Sequence, residues 1–537
     1  MGTAAKGTLG LVLENIASPG PPLLYSGPAS ASFSLTTQPN GSTGMRLFII
    51  VQGNTTTGTV TIVGTAPGGS AATETTPTIP IQLASQSAQV NAFEYVTTAI
   101  YSTVNASGVT ITGLTNAQIS IYGIQTAKFL IPSLAQFSNP YDYFSPQEAR
   151  GLLDRDTKNL QLIKKSTIDK LDQALYPENS LFAAYMGVSA NPQVSTIPAA
   201  PTSLKASALV SGSPISLTTQ PTPPGMVLIF TVTGASASGT INITGVNQWN
   251  IAVNNEVITA SGNGTYYSAN VYSSVAASGI TFTGLTGGSV TITGVYGWQY
   301  VFTPDLNSLY SAALEWYTGT DSDAIPWGYL TDLEFSFDTS KETSVSLKGG
   351  SWDVLPIGNR STNPMSASQV SPLGQPMDLP MVGWQTAIYV DALSGTPGTT
   401  PYSSVTDAKV SIKVPQTSIY TATNSQRYSR LYRGQREVSF TANIDFASLD
   451  QYEAYRQNLK QFIAFQFFGT YIGSVGGTLY SKSWTWIFPA QYTKFTKDPT
   501  KLENVTAALD AKGIYEPSVG YSHKLIVVCQ QPPTYTL

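Results

Sequence analysis

Apolar and polar residues alternate with a period of two through much of this chain. In residues 32–126 the apolar positions run Val60, Ile62, then Val109, Ile111, then Ile119, Ile121. Such alternation marks strands with one buried and one wet face. Clusters of Gly, Asn and Ser interrupt it roughly every ten residues, as turns do. About seven short strands in ~90 residues predict a small Ig-like β-sandwich. The pattern then returns nearly verbatim in residues 213–298. "YSTVNASGVTITGLT" from Tyr101 and "YSSVAASGITFTGLT" from Tyr272 differ at four positions. "SLTTQP" occurs at Ser34 and Ser216, and "GMRLFIIVQG" from Gly44 parallels "GMVLIFTVTG" from Gly225. Two cassettes of one fold are therefore expected, with Thr-rich outer faces. No carboxylate pair, His or Cys recurs in both, so they read as decorative or adhesive modules and not as catalytic ones.

The stretch between the cassettes changes period. Ser145, Pro146 and Glu148 form a helix start: a capping hydroxyl, a proline where no N–H is needed, and an acid at the positive helix end. Leu152, Leu153, Leu160 and Ile163 follow as an apolar stripe, predicting a helix over 146–163. Ile168, Leu171 and Leu175 continue it until Pro177. After the second cassette, Leu330, Leu333, Phe335 and Phe337 alternate, then Val345 and Leu347, predicting a hairpin. "LTDLEFSF" from Leu330 aligns without gaps with "VTDAKVSI" from Val405, a fainter second duplication. Further on, Ser448 and Gln451 make a capping box. Leu449, Tyr452, Tyr455 and Leu459 share one helical face, predicting a core-facing helix whose Leu459→Ala variant loses about 2–4 kcal/mol. Residues 358–383, rich in Pro, Ser and Gly, read as a linker.

Composition narrows the function classes. The chain has 537 residues, only 11% of them charged, and a net charge of −4. No broad basic surface for gripping nucleic acid is expected. The single cysteine, Cys529, rules out an internal disulfide framework and reads as a buried strand residue. The single histidine, His523, rules out zinc sites with several His or Cys ligands. The first twenty residues do not read as a secretion signal, and Lys6 stands where a myristoylation motif needs Ser or Thr. Apolar runs such as "LFIIV" from Leu47 are strand length, so no membrane anchor is expected.

Two segments resemble the major tail tube proteins of phages with long non-contractile tails. "GYLTDLEFSFDTSKETSVSLKGGSWDV" resembles their early strand pair. "DAKVSIKVP", then "REVSFTANIDFASLDQYEAYR", resembles their late section of strand, arginine-bearing loop, strand and helix. The resemblance covers residues 127–187, 300–355 and 384–537. It implies β-sandwich or barrel domains with a flanking helix, stacked as rings around a lumen. Some members carry two such domains in tandem. The expected plan is then a first tube domain from residues 1–31, 127–212 and 299–357, interrupted by cassettes at 32–126 and 213–298, and a second at 384–537. Six units per ring and two per chain imply trimeric rings with pseudo-sixfold symmetry. The implied setting is the virion tail, assembled in a host cytoplasm. The implied partners are further copies of the chain, the tape measure protein and genomic DNA in the lumen, and the tail terminator and tip proteins. The cassettes would decorate the exterior and be removable.

No enzymatic activity, cofactor or metal is expected. The basic stretch "SQRYSRLYRGQRE" holds Arg427, Arg430, Tyr432, Arg433 and Arg436. These are candidates for contacts between subunits; an inert solvated hairpin and a DNA contact are the alternatives. Asp321 and Asp323 near Trp327 read as turn formers and not as a glycosidase pair, and Asp154 and Asp156 lack further calcium ligands. A bacterial surface-layer or adhesin-type protein and a carbohydrate-active enzyme are the competing classes.

Overall fold

A computed structural model describes residues 5–15, 22–39, 44–67, 69–81, 92–125, 129–138, 141–144, 160–189, 191–210, 214–304, 310–317, 322–358, 379–420, 427–445, 449–498 and 506–533. The fold is mainly β, made of antiparallel sheets. Its body comprises two barrels. The first uses β1 (Ala5–Asn15), β2 (Phe129–Ser138), β3 (Ser166–Ala174), β4 (Tyr310–Tyr317), β5 (Ser322–Asp338) and β6 (Ser344–Ser351). They pair in the order β1-β2-β3-β6-β5-β4, and β4 returns to β1, so the sheet closes. Closure removes the exposed edges that an open sheet would carry.

The second barrel uses β7 (Thr386–Ala392), β8 (Val405–Lys413), β9 (Glu437–Asp445), β10 (Lys460–Val475), β11 (Thr478–Asp498) and β12 (Thr506–Gly513). Its order, β8-β9-β12-β11-β10-β7, repeats that of the first strand for strand. It closes through residues just ahead of β8: Tyr402 donates its N–H to the Ile388 carbonyl at 2.7 Å and Val390 to Thr400 at 3.1 Å. Helix α1 (Leu181–Gly187) follows β3, and α2 (Asp450–Arg456) follows β9. Each barrel thus carries its helix at the same place in the connection plan.

This places the second duplication elsewhere than "LTDLEFSF" against "VTDAKVSI". Those strings are β5 and β8, which occupy different places in their barrels: β5 corresponds to β11, and β8 to β2. They look alike because they lie side by side and both turn alternate residues toward one core. Leu333 pairs with Ile412, Phe335 with Val410 and Phe337 with Ala408. Through this junction a single apolar core runs across both barrels, from Phe335 and Phe337 to Phe440, Phe465, Trp484 and Trp486. A buried Lys482–Glu178 ion pair at 2.7 Å and a bond from Trp484 Nε1 to the Pro177 carbonyl at 3.1 Å tie β11 to the first half.

The stripe of residues 160–175 forms strands and not a helix. Residues 160–164 pair with Tyr141–Phe144, and β3 takes Ile168 and Leu171. A bulge lies between those two residues in the β3–β6 register. It inserts one extra residue into the alternation, so the buried positions fall three apart and imitate helical spacing. The start at Ser145 and Pro146 lies outside the described residues, as do Asp154 and Asp156, Ser448 of the capping box, and most of the linker. Helix α2 itself forms, but it buries Gln451 and Ala454, while Leu449 and Leu459 are exposed. Leu459→Ala is accordingly expected to change stability by no more than about 0.5 kcal/mol in chemical unfolding.

The cassettes leave the body at two different points of the first barrel. One lies between β1 and β2, where Leu11 pairs with Phe129. The other is carried on a stem in which Gln193–Ile197 pairs with Gly297–Phe302. In the first cassette the sheets run from Leu23–Pro28 to Gln118–Gln125; in the second, from Thr202–Leu209 to Ser289–Val295. Both sheet sets begin one strand ahead of the boundaries at residues 32 and 213.

Inside, the two cassettes repeat a glutamate that fastens the same stretch of backbone, with a tyrosine donor at a different position in each. Glu74 accepts from Tyr95 Oη at 2.7 Å and from the backbone of Thr98 and Ala99 at 2.8 and 2.6 Å. Glu256 accepts from Tyr272 Oη at 2.7 Å and from the backbone of Asn270 at 3.2 Å and of Ala269. Burial first, and then the neighbouring Glu256 carboxylate, push the Tyr272 hydroxyl well above its ordinary pKa. Gly64 and Gly245 mark close strand crossings. A Cβ there would lie 2.2 Å from the Thr103 carbonyl and 2.4 Å from that of Ser274.

Candidate functional site

The strands Met45–Gln52 and Met226–Thr233 are apolar on both faces, unlike their neighbours. Leu47, Ile49 and Val51 enter the cassette core. The alternate residues Phe48 and Ile50 instead join Ala313, Trp327, Tyr329, Trp352 and Leu355 of the first barrel. In the second cassette, Leu228 and Phe230 point inward while Val227 and Ile229 join the body core. An uninterrupted apolar run is what a strand buried on both faces requires, so "LFIIV" already carried the signal of this seam.

A charge pair lies within the first seam. Arg46 is fully buried and donates Nε and Nη2 to the two oxygens of Glu315 on β4, at 2.7 and 3.2 Å. Its Nη1 reaches the carbonyls of Thr97, at 3.4 Å, and Thr98. Burying both charges is tolerated because each finds hydrogen-bonding partners.

The basic stretch resolves into separate placements. Gln416–Ile419 and Arg430–Arg433 form a hairpin. Arg427, in the connection between its two strands, is committed within the chain: Nε donates to Asp353 and Nη2 to Glu94, both at 2.6 Å. Its guanidinium also lies over the Trp352 ring at 4.7 Å. Burial opposes this charge, but Asp353 and Glu94 outweigh it and raise the pKa further. Arg427 therefore braces the first cassette against the body. Tyr428 Oη donates to the Trp327 carbonyl at 2.8 Å, and the two rings stack. This fixes the kink in β5, where Trp327 holds φ +56 as the strand changes partner from β4 to β6. Arg430 and Tyr432 are exposed, and Arg436 is half-buried.

The remaining candidates are dispersed. Asp323 belongs to β5, and Asp321 lies outside the described residues. His523 is buried against Trp486, and Cys529 is buried in the strand Lys524–Cys529. Among the described residues, no group of three or more His, Cys, Asp or Glu is placed to hold a metal ion, and no helix is long and apolar enough to cross a membrane. A groove of about 500 Å³ crosses the outer face of the β5–β8 junction, lined by Glu334, Asp338, Glu342, Asp407 and Asp510 together with Lys341 and Lys409. Both lysines are paired, Lys341 with Asp338 at 2.9 Å and Lys409 with Glu334 at 2.6 Å.

No known sequence family and no curated protein matches the chain. Among solved structures, the chain is similar to one titled as the PBSX exported protein XepA, at 9% identity and a TM-score of 0.10. That similarity covers 53% of this chain and 85% of the other.

Proposed function

We propose that the chain is a structural virion protein that polymerises as stacked rings to form a phage tail tube, with the cassettes on its exterior. The observation that supports this reading is the repeated barrel. Two units with one connection plan, each with a helix after its third strand, are fused through the pairing of β5 with β8. That pairing joins unlike positions of the two units. It is a head-to-tail contact, the kind that builds rings when the rotation closes. Three chains would supply six barrels around a lumen for DNA and the tape measure protein, with terminator and tip proteins at the ends. Arg430 and Tyr432, exposed on their hairpin, together with Arg433 and Arg436, are the contacts proposed toward neighbouring subunits.

Electron microscopy of the purified protein tests this. Hollow rings or tubes with three cassette pairs per ring are expected. Six pairs per ring would overturn the trimer. Planar lattices would favour a surface-layer protein, and monomers at high concentration would overturn assembly altogether.

A further inference from the structure

We propose that the outer edge of β11 at residues 493–498 joins the next copy of the chain by antiparallel pairing with β2 at residues 136–138. This rests on the ring-forming reading and names the surfaces that would carry it. The argument is internal to the fold. In the first barrel, the C-terminal half of β5 has two neighbours. On one edge Leu333 pairs with Leu347 of β6, and on the other with Ile412 of β8. In the second barrel, β11 repeats β5. Phe495 pairs with Leu509 of β12 as Leu333 does with Leu347. On its other edge, β10 reaches only as far as Gln491, opposite Lys460. Beyond that point no strand among the described residues lies along β11, and the side chains of Thr493, Lys494 and Thr496 are exposed.

The receiving strand follows from the same correspondence, because β8 occupies in its barrel the place of β2. Ala174 of β3 and Asp445 of β9 each pair with the first residue of the strand that follows, Ser344 and Thr506. Two residues back, Asp172 lies opposite Leu134, and Asn443 opposite Asp407. Leu134 thus matches Asp407, Gln136 matches Lys409, and Ser138 matches Ser411. Within the chain, Ser411 pairs with Glu334 and Lys409 with Ser336. Between copies, the equivalent pairs are Ser138 with Thr496 and Gln136 with Asp498. The edge of β2 is available in the same way as that of β8. Among the described residues, β1 pairs with β2 up to Ala135, and on the edge away from β10, β7 meets residues 400–402, ahead of β8. Both contacts would be antiparallel and head-to-tail, so the junction inside a chain and the junction between chains would be equivalent.

Engineered cysteines test the register. Directly paired strand residues bring their Cα atoms to within about 4.5–5.5 Å, which a disulfide can span. Oxidising a mixture of the Ser138→Cys and Thr496→Cys variants should convert monomer to a disulfide-linked dimer. The double variant should give a ladder of dimer, trimer and covalently closed ring. Glu334→Cys with Ser411→Cys serves as the positive control for the equivalent junction inside one chain. Rings seen by microscopy with no cross-linking, in either the mixture or the double variant, would overturn this edge pairing and leave ring assembly standing. A protein that sediments as a monomer and does not cross-link would overturn both.

Discussion

Replacing Arg46 by alanine is expected to lower stability by about 3–5 kcal/mol, because it leaves Glu315 as an uncompensated buried charge. Both groups are inaccessible, at 0% and 1% side-chain exposure. The second cassette shows what an apolar seam looks like at the same place: Val227 follows Met226 as Arg46 follows Met45, and it packs into the body core. The double replacement Arg46→Met with Glu315→Leu should therefore recover most of the loss. Urea unfolding followed by tryptophan fluorescence measures this, since Trp327 and Trp352 lie in the same cluster. A single-variant loss below about 1 kcal/mol would mean that the pair contributes no more than a surface ion pair does.

Excising the first cassette, residues 23–125, should have a still larger effect. The sequence alone suggests a removable ornament, but the seam reverses that expectation. Excision uncovers Ala313, Trp327, Tyr329, Trp352 and Leu355, and removes Arg46 from Glu315 and Glu94 from Arg427. Burying one large apolar side chain contributes about 1.5–3 kcal/mol. Uncovering several at once rivals the whole ~5–15 kcal/mol stability of a domain. The truncated chain is expected to aggregate or to lose cooperative melting by circular dichroism. A truncated chain that melts cooperatively at the temperature of the intact protein would show that the seam adds nothing.

The two duplications differed in how far the sequence revealed them, for a physical reason. The cassettes repeat side chains that the backbone cannot do without. Ser107 and Ser278 both take positive φ, Gly64 and Gly245 both sit at close crossings, and Gln38 and Gln220 bond the backbone of Val104 and Val275. Such positions resist substitution, so the strings stay recognisable. The barrels repeat only an order of pairing. Any alternating strand can satisfy a ladder of backbone hydrogen bonds, so the plan survives without shared residues. Helix α1 escaped notice for a different reason. "LFAAYMG" is apolar all round because the helix is buried on nearly every side, so it shows no stripe. In the candidate site, the arginine-rich stretch was legible as a cluster. The commitment of Arg427 to Glu94 and Asp353, distant in sequence, was not.

The second barrel keeps, as short turns, the two places where the first one opens to admit a cassette. Residues 393–404 connect β7 to β8 where the first barrel carries residues 16–128, and residues 457–459 connect α2 to β10 where it carries the stem and the second cassette. These turns are unused ports. Lengthening a surface loop adds little closure entropy. A foreign domain whose ends lie close together could be displayed at residues 393–398, ahead of the bonds from residues 400–402 that close the barrel, or at residues 457–459, without breaking a strand pairing of the barrel. It would hang as a tethered passenger and not as a fused wall, because the second barrel offers it no counterpart of the Arg46 seam. The same architecture thus provides two rigid mounts and two flexible ones on a single chain.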